Sequence, residues 1–301
     1  MFQRKALRLP ARLMILALLL SMLPLGVLAQ QGTSEIIGTV TDPEGKVVVG
    51  ATVTLKNSDT GFTRDQTTTD KGVFSFNAIP TGNYVLEVEA SGFKKAISNA
   101  VQALVAKTTS LTIQLELGNV SEVVNVTAGA NEILINNTDA SLGNNFNSTQ
   151  ILQLPTNARN VGSLLSLQPG VTRDGYVAGG RSDQANLTLD GVDVNDNQNG
   201  STFAPVVRVN PDSVEEFRVT TVNANASQGR SSGAQVQLVT KSGTNQFHGS
   251  LYEYHRNTVT TANDFFNNAA GIERPALIRN LFGGRLGGPV IKDRFFFFIQ
   301  L

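Results

Sequence analysis

From residue 36 onward, turn residues cut the chain into short alternating runs, and that pattern restricts the fold to layered β-sheet. Residues 36–41 form one run, closed by Asp42-Pro43-Glu44-Gly45. Residues 51–56 form the next, with Ala51, Val53 and Leu55 on one face, and Asn57-Ser58-Asp59-Thr60-Gly61 turns the chain again. Asp70-Lys71-Gly72 precedes residues 73–76, and Pro80-Thr81-Gly82 precedes residues 84–89. Residues 108–117 alternate once more, with Leu111, Ile113, Leu115 and Leu117 expected inward. A period of two buries one side of a pleated strand, whereas a helix buries residues three and four apart. Strands recurring every ~8–12 residues between Gly or Pro turns fit a β-sandwich over residues 31–118. Lys56, Glu87 and Glu89 then face water.

The residues in this segment resemble the carboxypeptidase regulatory-like domain. Gly38-Thr39-Val40, Asp42, Gly45, Gly50-Ala51, Thr69-Asp70, Gly72, Phe74, Gly82-Asn83-Tyr84 and Gly92-Phe93 carry the resemblance, which covers most of the segment. The chemistry of a carboxypeptidase does not follow. A catalytic zinc needs two His and a carboxylate around an open position, and residues 31–118 contain no His. The sandwich is therefore a structural or binding module, and its Gly and aromatic residues serve turns and core.

The N-terminus marks an exported chain. Arg4, Lys5, Arg8 and Arg12 precede an apolar stretch over residues 13–20, and Val27-Leu28-Ala29 fits a signal-peptidase site. Pro24 and Gly26 interrupt a run already short of the ~20 residues of a spanning helix. Residues 1–29 are thus expected to be a signal peptide. The 24 basic and 24 acidic residues balance, and no basic run suggests nucleic acid. The absence of Cys removes disulfides and thiolate metal sites.

Between two differently patterned segments lies Ser121-Glu122-Val123-Val124-Asn125-Val126-Thr127-Ala128. It is short, β-prone and Val-rich, so residues 119–128 are expected to form an extended connector outside either core. Its order resembles the TonB box of TonB-dependent receptors, carried by Glu122, Val123, Val124, Val126, Thr127 and Ala128. The resemblance implies a TonB-like energy-transducing partner.

Residues 129–245 mix two periods. Val161, Leu164 and Leu165 stand at helical spacing, and Pro169-Gly170 stops the helix. Residues 186–190, 214–219 and 234–240 read as strands, so the segment is expected to be an α/β unit. It resembles the plug of the same receptors. The matching residues are Leu164-Leu165, Gln168-Pro169-Gly170-Val171, the stretch from Leu187 to Asp196, Val214-Glu215-Glu216-Phe217-Arg218-Val219, Ser232-Gly233-Ala234-Gln235-Val236 and Thr240-Lys241-Ser242-Gly243. Gly180-Arg181 departs from the family's Arg-Gly order, so no role is carried over to Arg181. The Asp/Asn-rich loop from Asp190 to Asn199 is not an EF-hand: Gln198 and Ala204 stand where Gly and Glu are required. It reads as a solvated turn-rich loop.

Residues 246–301 alternate in longer runs. Phe282, Leu286 and Val290 share one face with Arg285 on the other, and Lys292-Asp293-Arg294 turns into Phe295-Phe296-Phe297-Phe298. Apolar-out, polar-in alternation with aromatic clusters is the pattern of an outer-membrane barrel. Phe247-His248-Gly249-Ser250 and Gly283-Gly284-Arg285-Leu286-Gly287-Gly288-Pro289 resemble the first barrel strands of the same family. His248 and His255 fall on opposite faces of their strand and form no metal pair. There is room for about three spanning strands of ~9–11 residues, against 22 in a plugged transporter, so an N-terminal piece of a longer protein is expected.

The expected fold is mainly β: an N-terminal sandwich, an α/β plug, then the first strands of an incomplete outer-membrane barrel. With the sandwich in front, the resemblance points to the Oar-like subgroup of TonB-dependent receptors. It implies a non-enzymatic transporter that binds an extracellular ligand and admits it through the outer membrane; the sequence does not identify that ligand, for which a saccharide and a peptide are the candidates. Sandwich and TonB box would be periplasmic and outer-membrane lipid would surround the barrel. No catalytic residue, metal or cofactor is expected, and ligand-binding residues cannot be assigned. The alternative is a surface adhesin or carbohydrate- or matrix-binding protein working through the sandwich. The mature N-terminus is expected at Gln30, and mass measurement of outer-membrane material should find residues 1–29 removed.

Overall fold

The computed structural model describes residues 33–119, 123–126, 140–154, 159–172, 174–196, 198, 205–207, 209–226, 228–229 and 231–301. The expected signal peptide lies outside the described residues. Among those described, no helix is long and apolar enough to cross a membrane, which leaves crossing by strands a separate question.

The first region is built from β1 (Thr33–Thr41), β2 (Thr52–Lys56), β3 (Thr63–Thr67), β4 (Val73–Pro80), β5 (Gly82–Glu89), β6 (Lys95–Ala103), β7 (Thr108–Gln114) and β8 (Val123–Val126). They form two sheets, ordered β4-β1-β7 and β3-β2-β5-β6-β8. Ile36, Val40, Phe74, Phe76 and Ile113 of the first sheet pack against Val53, Leu55, Tyr84, Leu86 and Val88 of the second. The turns follow from their residues. Asp42 Oδ1 accepts the backbone N–H of Glu44 (2.9 Å) and Lys46 (2.8 Å), and Gly45 supplies a φ of +82° that side chains resist. Within β1, a Cβ on Gly38 would collide with the Phe74 ring, so glycine there lets the aromatic lie across the strand.

Two strands escape the alternation rule. β3 reads Thr-Arg-Asp-Gln-Thr and is mostly exposed beside β2, and β6 moves its buried positions from Ala96 and Ser98 to Val101 and Ala103 across a register shift. Leu117, expected inward, is 68% exposed, because β7 ends at Gln114 and Leu117 instead bridges to Phe93. Leu115 remains fully buried. Lys56, Glu87 and Glu89 are not simply solvated. Glu87 takes Lys56 and Lys95 at 2.8 Å each, and Lys95 also reaches Glu89 at 2.9 Å. Hydrogen bonds from Lys56 and then Lys95 hold the Glu87 carboxyl below its ordinary range.

The middle region contains β9 (Leu142–Asn147), α1 (Ser148–Gln153), a 3-10 helix over Val161–Leu167, β10 (Asn186–Leu189), β11 (Val192–Asp193), β12 (Val214–Val222) and β13 (Gln235–Thr240). Its sheet runs β11-β10-β13-β12-β9, with only β10 and β13 parallel. Ile151, Leu164 and Leu165 close over Leu187, Phe217, Val219, Val236 and Leu238. The expected helix is present but tightened to 3-10 form. Asn160 caps Gly162, and Ser163 and Ser166 donate to the carbonyls of Asn160 and Ser163, competing with the α-helical ladder. The helical share of this unit is therefore smaller than an α/β pattern suggests.

The last region is an antiparallel meander of β14 (His248–Asn257), β15 (Ile278–Ile291) and β16 (Phe295–Gln300), with α2 (Phe265–Ala269) in the link between β14 and β15. Arg285 and the apolar Phe282, Leu286 and Val290 lie on opposite faces of β15, as the alternation requires. The chain is mainly β throughout.

Tyr84 offers a test of the sandwich core. Its hydroxyl donates to the Pro80 carbonyl at 2.8 Å, and burial pushes its pKa from 10.0 to about 12. A raised acid contributes stability that is whole below the unfolded pKa and is lost as pH rises through the folded one. Between pH 10 and 12 the denaturant midpoint of the parent, followed by circular dichroism, should fall more steeply than that of Tyr84→Phe.

Candidate coupling site

Strand β8 is where the expected partner-binding residues fall. Val123, Val124, Asn125 and Val126 pair in parallel with Lys95, Ala96, Ile97 and Ser98 of β6. The segment is therefore not a free connector: it is the edge strand of the sandwich's larger sheet. The reason is physical, since without β8 the open backbone of β6 would be that sheet's edge. Val124 sits half-buried on the face of buried Ala96, while Val123 lies beside Lys95 and is exposed. Glu122, Thr127 and Ala128 lie outside the described residues. The approach to β8 is guided. Lys94 N–H donates to the Glu116 carbonyl at 2.8 Å, Gly118 N–H to that of Gly92 at 3.2 Å, and the Lys94 ammonium meets Glu116 at 3.4 Å.

Glu216 ties the sandwich to the middle region. In β12, Phe217 and Val219 enter the core, while Glu216, Arg218 and Thr220 occupy the other face, which is also buried. The Glu216 carboxylate accepts the Val105 N–H at 2.9 Å, from the turn between β6 and β7, and a second hydrogen bond from Asn145 Nδ2. Arg218 in turn donates to Asn145 Oδ1 at 2.6 Å. Burial pushes the Glu216 pKa upward against these donors. A second seam lies at the β2–β3 turn. Asp59 accepts from Asn245 N–H at 2.8 Å, and Asn245 exchanges hydrogen bonds with Asp293 at 2.7 and 2.9 Å.

The middle region also covers one face of the β14–β16 sheet. Arg159 pairs with buried Asp212 at 2.9 Å and stacks its guanidinium 3.5 Å above the Tyr254 ring. Arg285 donates to the Asp212 carbonyl at 3.0 Å and to Ser250 Oγ at 2.7 Å. Asn210 donates to the Tyr252 hydroxyl at 2.8 Å. Nearby, burial and then the Arg285 charge push Lys241 downward. The opposite face is bare and carries an apolar stripe, with Leu251 91% and Phe282 79% exposed, beside exposed Glu253 and His255.

Other sequence candidates fall outside this arrangement. Arg181 is exposed and pairs with Asp183. Asp190 spends its carboxylate on the Thr240 N–H (2.8 Å) and hydroxyl (2.7 Å), and Asn195 Oδ1 accepts from Leu187 N–H. Those side chains pin the loop to the sheet. His248 and His255 each contact a local oxygen, of Gln246 and Asn280 respectively. Glu216 and Asp212 were not singled out from sequence. The signal for Glu216 was available: in Glu215-Glu216-Phe217, a period of two points the two carboxylates to opposite faces.

Profiles of known families agree with these two ends of the chain. Residues 35–116 match the carboxypeptidase regulatory-like domain, and residues 239–301 match an outer membrane beta barrel domain. The end of the chain is thus similar to outer-membrane barrels and its front to a regulatory-like sandwich. It is also similar to the TonB-dependent transporter Oar of Myxococcus xanthus, with 29% identity over 287 residues. That match covers 88% of this chain and 26% of the relative, so the chain spans about a quarter of that protein's length. Among solved structures it is similar to the siderophore receptor PirA of Acinetobacter baumannii (TM-score 0.39, 21% identity, 51% of this chain and 23% of that one). PirA of Pseudomonas aeruginosa gives a TM-score of 0.38 at 18% identity, over 49% of this chain and 24% of that one.

The Glu216 seam can be tested directly. Glutamine offers one acceptor oxygen where two donors converge, so Glu216→Gln leaves Val105 or Asn145 facing an N–H. A charged hydrogen bond is worth roughly 1.5–3 kcal/mol, and about 1.4 kcal/mol is tenfold. The Val105 amide should exchange about tenfold faster or more in Glu216→Gln, while amides of β2 and β5 keep their protection.

Proposed function

We propose that this chain works as part of a TonB-dependent outer-membrane receptor, which binds an extracellular ligand and admits it through a plugged barrel. The observation that carries the proposal is the division of the β14–β16 sheet. Its bare face carries an apolar stripe of Leu251, Phe282, Leu286, Val290 and Ile299, suited to lipid, with Glu253 and His255 toward the longer link. Its other face is polar and covered by the middle region through Arg159, Asn210 and Asp212. A wall wet on neither side, with the preceding segment packed on its inner surface, is what a plug over residues 129–245 requires. An adhesin working through the sandwich alone gives no reason for that covering.

The same geometry supports a sidedness. The short turn at Lys292-Asp293-Arg294 lies against the sandwich through Asp293 and Asn245, which also meets Asp59. Short turns of such barrels are periplasmic and longer links extracellular. The sandwich and β8 are then periplasmic, and the 258–277 link with α2 faces outward. In this reading the TonB box, Glu122 to Ala128, is the handle of a TonB-like partner in the periplasm. Outer-membrane lipid surrounds the wall.

Strand addition draws affinity from main-chain hydrogen bonds and specificity from alternate side chains. Proline at 124 fixes φ and removes one donor. One lost bond costs roughly 0.5–1.5 kcal/mol, and disrupted pairing on both sides adds to it, so a tenfold loss at about 1.4 kcal/mol is expected. In the full-length receptor, Val124→Pro and Val126→Pro should cut uptake about tenfold or more at equal outer-membrane level, with surface ligand binding intact and Val124→Ala near normal. Normal uptake in both proline variants would reduce the segment to a linker.

A further inference from the structure

One of the two main-chain edges that a partner strand could use is already engaged. We propose that the sandwich is the resting dock of this strand, so that β6 and the TonB-like partner compete for β8 and the partner takes it by peeling it from β6. The inference rests on the reading of β8 as the partner-binding strand. Four consecutive residues of β8 are in register with β6, which occupies one of the strand's two main-chain edges. Its side chains are engaged as well. Val124 is half-buried on the side of Ala96, so one position of the face that would give specificity to strand addition is partly covered while the strand is docked.

Two further observations make this a built position rather than an incidental one. The chain is led to it by the Phe93–Leu117 bridge, the Gly118–Gly92 hydrogen bond and the Lys94–Glu116 pair. The dock itself is anchored, because the turn that leaves β6 is seated through Val105 on buried Glu216 of β12. A pull on β8 therefore meets a β6 held against the middle region. At the same time β8 is the shortest strand of its sheet and lies at its edge, where exchange of one strand for another is easiest. Among the described residues, the fully buried Ser98 hydroxyl, in register with Val126, finds no hydrogen-bond partner. That is a standing cost in the docked state.

The test uses the absence of native cysteine. Lys95 and Val123 are register partners on the outward face, and neighbouring strands lie about 5 Å apart, within disulfide range. The doubly substituted chain, Lys95→Cys with Val123→Cys, should form an intramolecular disulfide on oxidation. In detergent, the oxidised chain should bind the purified periplasmic domain of the host's TonB-like protein at least tenfold more weakly than the reduced chain. Reductant should restore binding, and each single substitution should be insensitive to oxidation. Equal binding by oxidised and reduced forms would overturn the inference alone, since the partner would then be adding to the free edge of β8. Failure of the disulfide to form would overturn the dock. If the disulfide forms but neither the reduced chain nor the parent binds, the segment is not the partner strand, and the proposed function loses its handle together with the inference.

Discussion

Backbone groups at a sheet edge must find partners or water, and much of this chain is arranged around that constraint. The sandwich's larger sheet would end at β6, and β8 covers it. The turn after β6 carries an N–H that would be stranded once the middle region packs on it, and Glu216 accepts it. Asn245 does the same for the Asp59 carbonyl at the second seam. The two seams of the sandwich thus each satisfy a main-chain group, while the middle region meets the last sheet through side chains such as Arg159 and Asn210. Apolar burial is concentrated inside the two cores, around Phe74, Phe76 and Tyr84 in one and Phe217 in the other.

Charge follows the same logic with higher stakes. A buried carboxylate is tolerated only when donors surround it. Glu216 has a backbone N–H and an amide, and Asp212 has the Arg159 guanidinium on its carboxylate with Arg285 on its carbonyl. Arg159 spends its flat face on Tyr254 while its edge meets Asp212, a use lysine could not replace. These interactions add little to the cores on either side. Their role is to fix where one unit stops and the next begins, because losing either partner strands a buried charge.

How much was legible in the sequence depended on whether a segment's neighbours were local. β1, β2, β4 and β5 each bury one face and end in turns of Asp, Asn, Gly or Pro, so alternation alone located them. β3 is polar on both faces and stays exposed beside β2, and β6 breaks its alternation at a register shift between Ser98 and Val101. Leu117 looked like the next inward residue, yet the strand had already ended and the chain was turning toward β6. The helix around Leu164 was visible as a period, but its 3-10 form depends on hydroxyls of Ser163 and Ser166 that reach back for carbonyls. Val123 to Val126 were correctly β-prone, but their partner strand lies 28 residues earlier in the register, and no local pattern records that. Glu216 was visible as a charge inside an apolar strand. That it faces another domain rather than solvent is a tertiary fact.

The length of β8 bears on what the arrangement can do. Four residues in a parallel ladder make only a few hydrogen bonds, each worth roughly 0.5–1.5 kcal/mol net. The bond network holding β8 is therefore of the same order as a modest strand-addition partner could return. A longer strand would cover β6 more securely but would hold too tightly to be exchanged. A shorter one would leave the Ala96 edge open. The guided path from Leu117 to Gly118 compensates in part, since a tethered strand redocks without searching. β8 is thus held on β6 by few bonds along a well-defined path, and on the proposal that it is the partner strand, that is the combination a reversible handle needs.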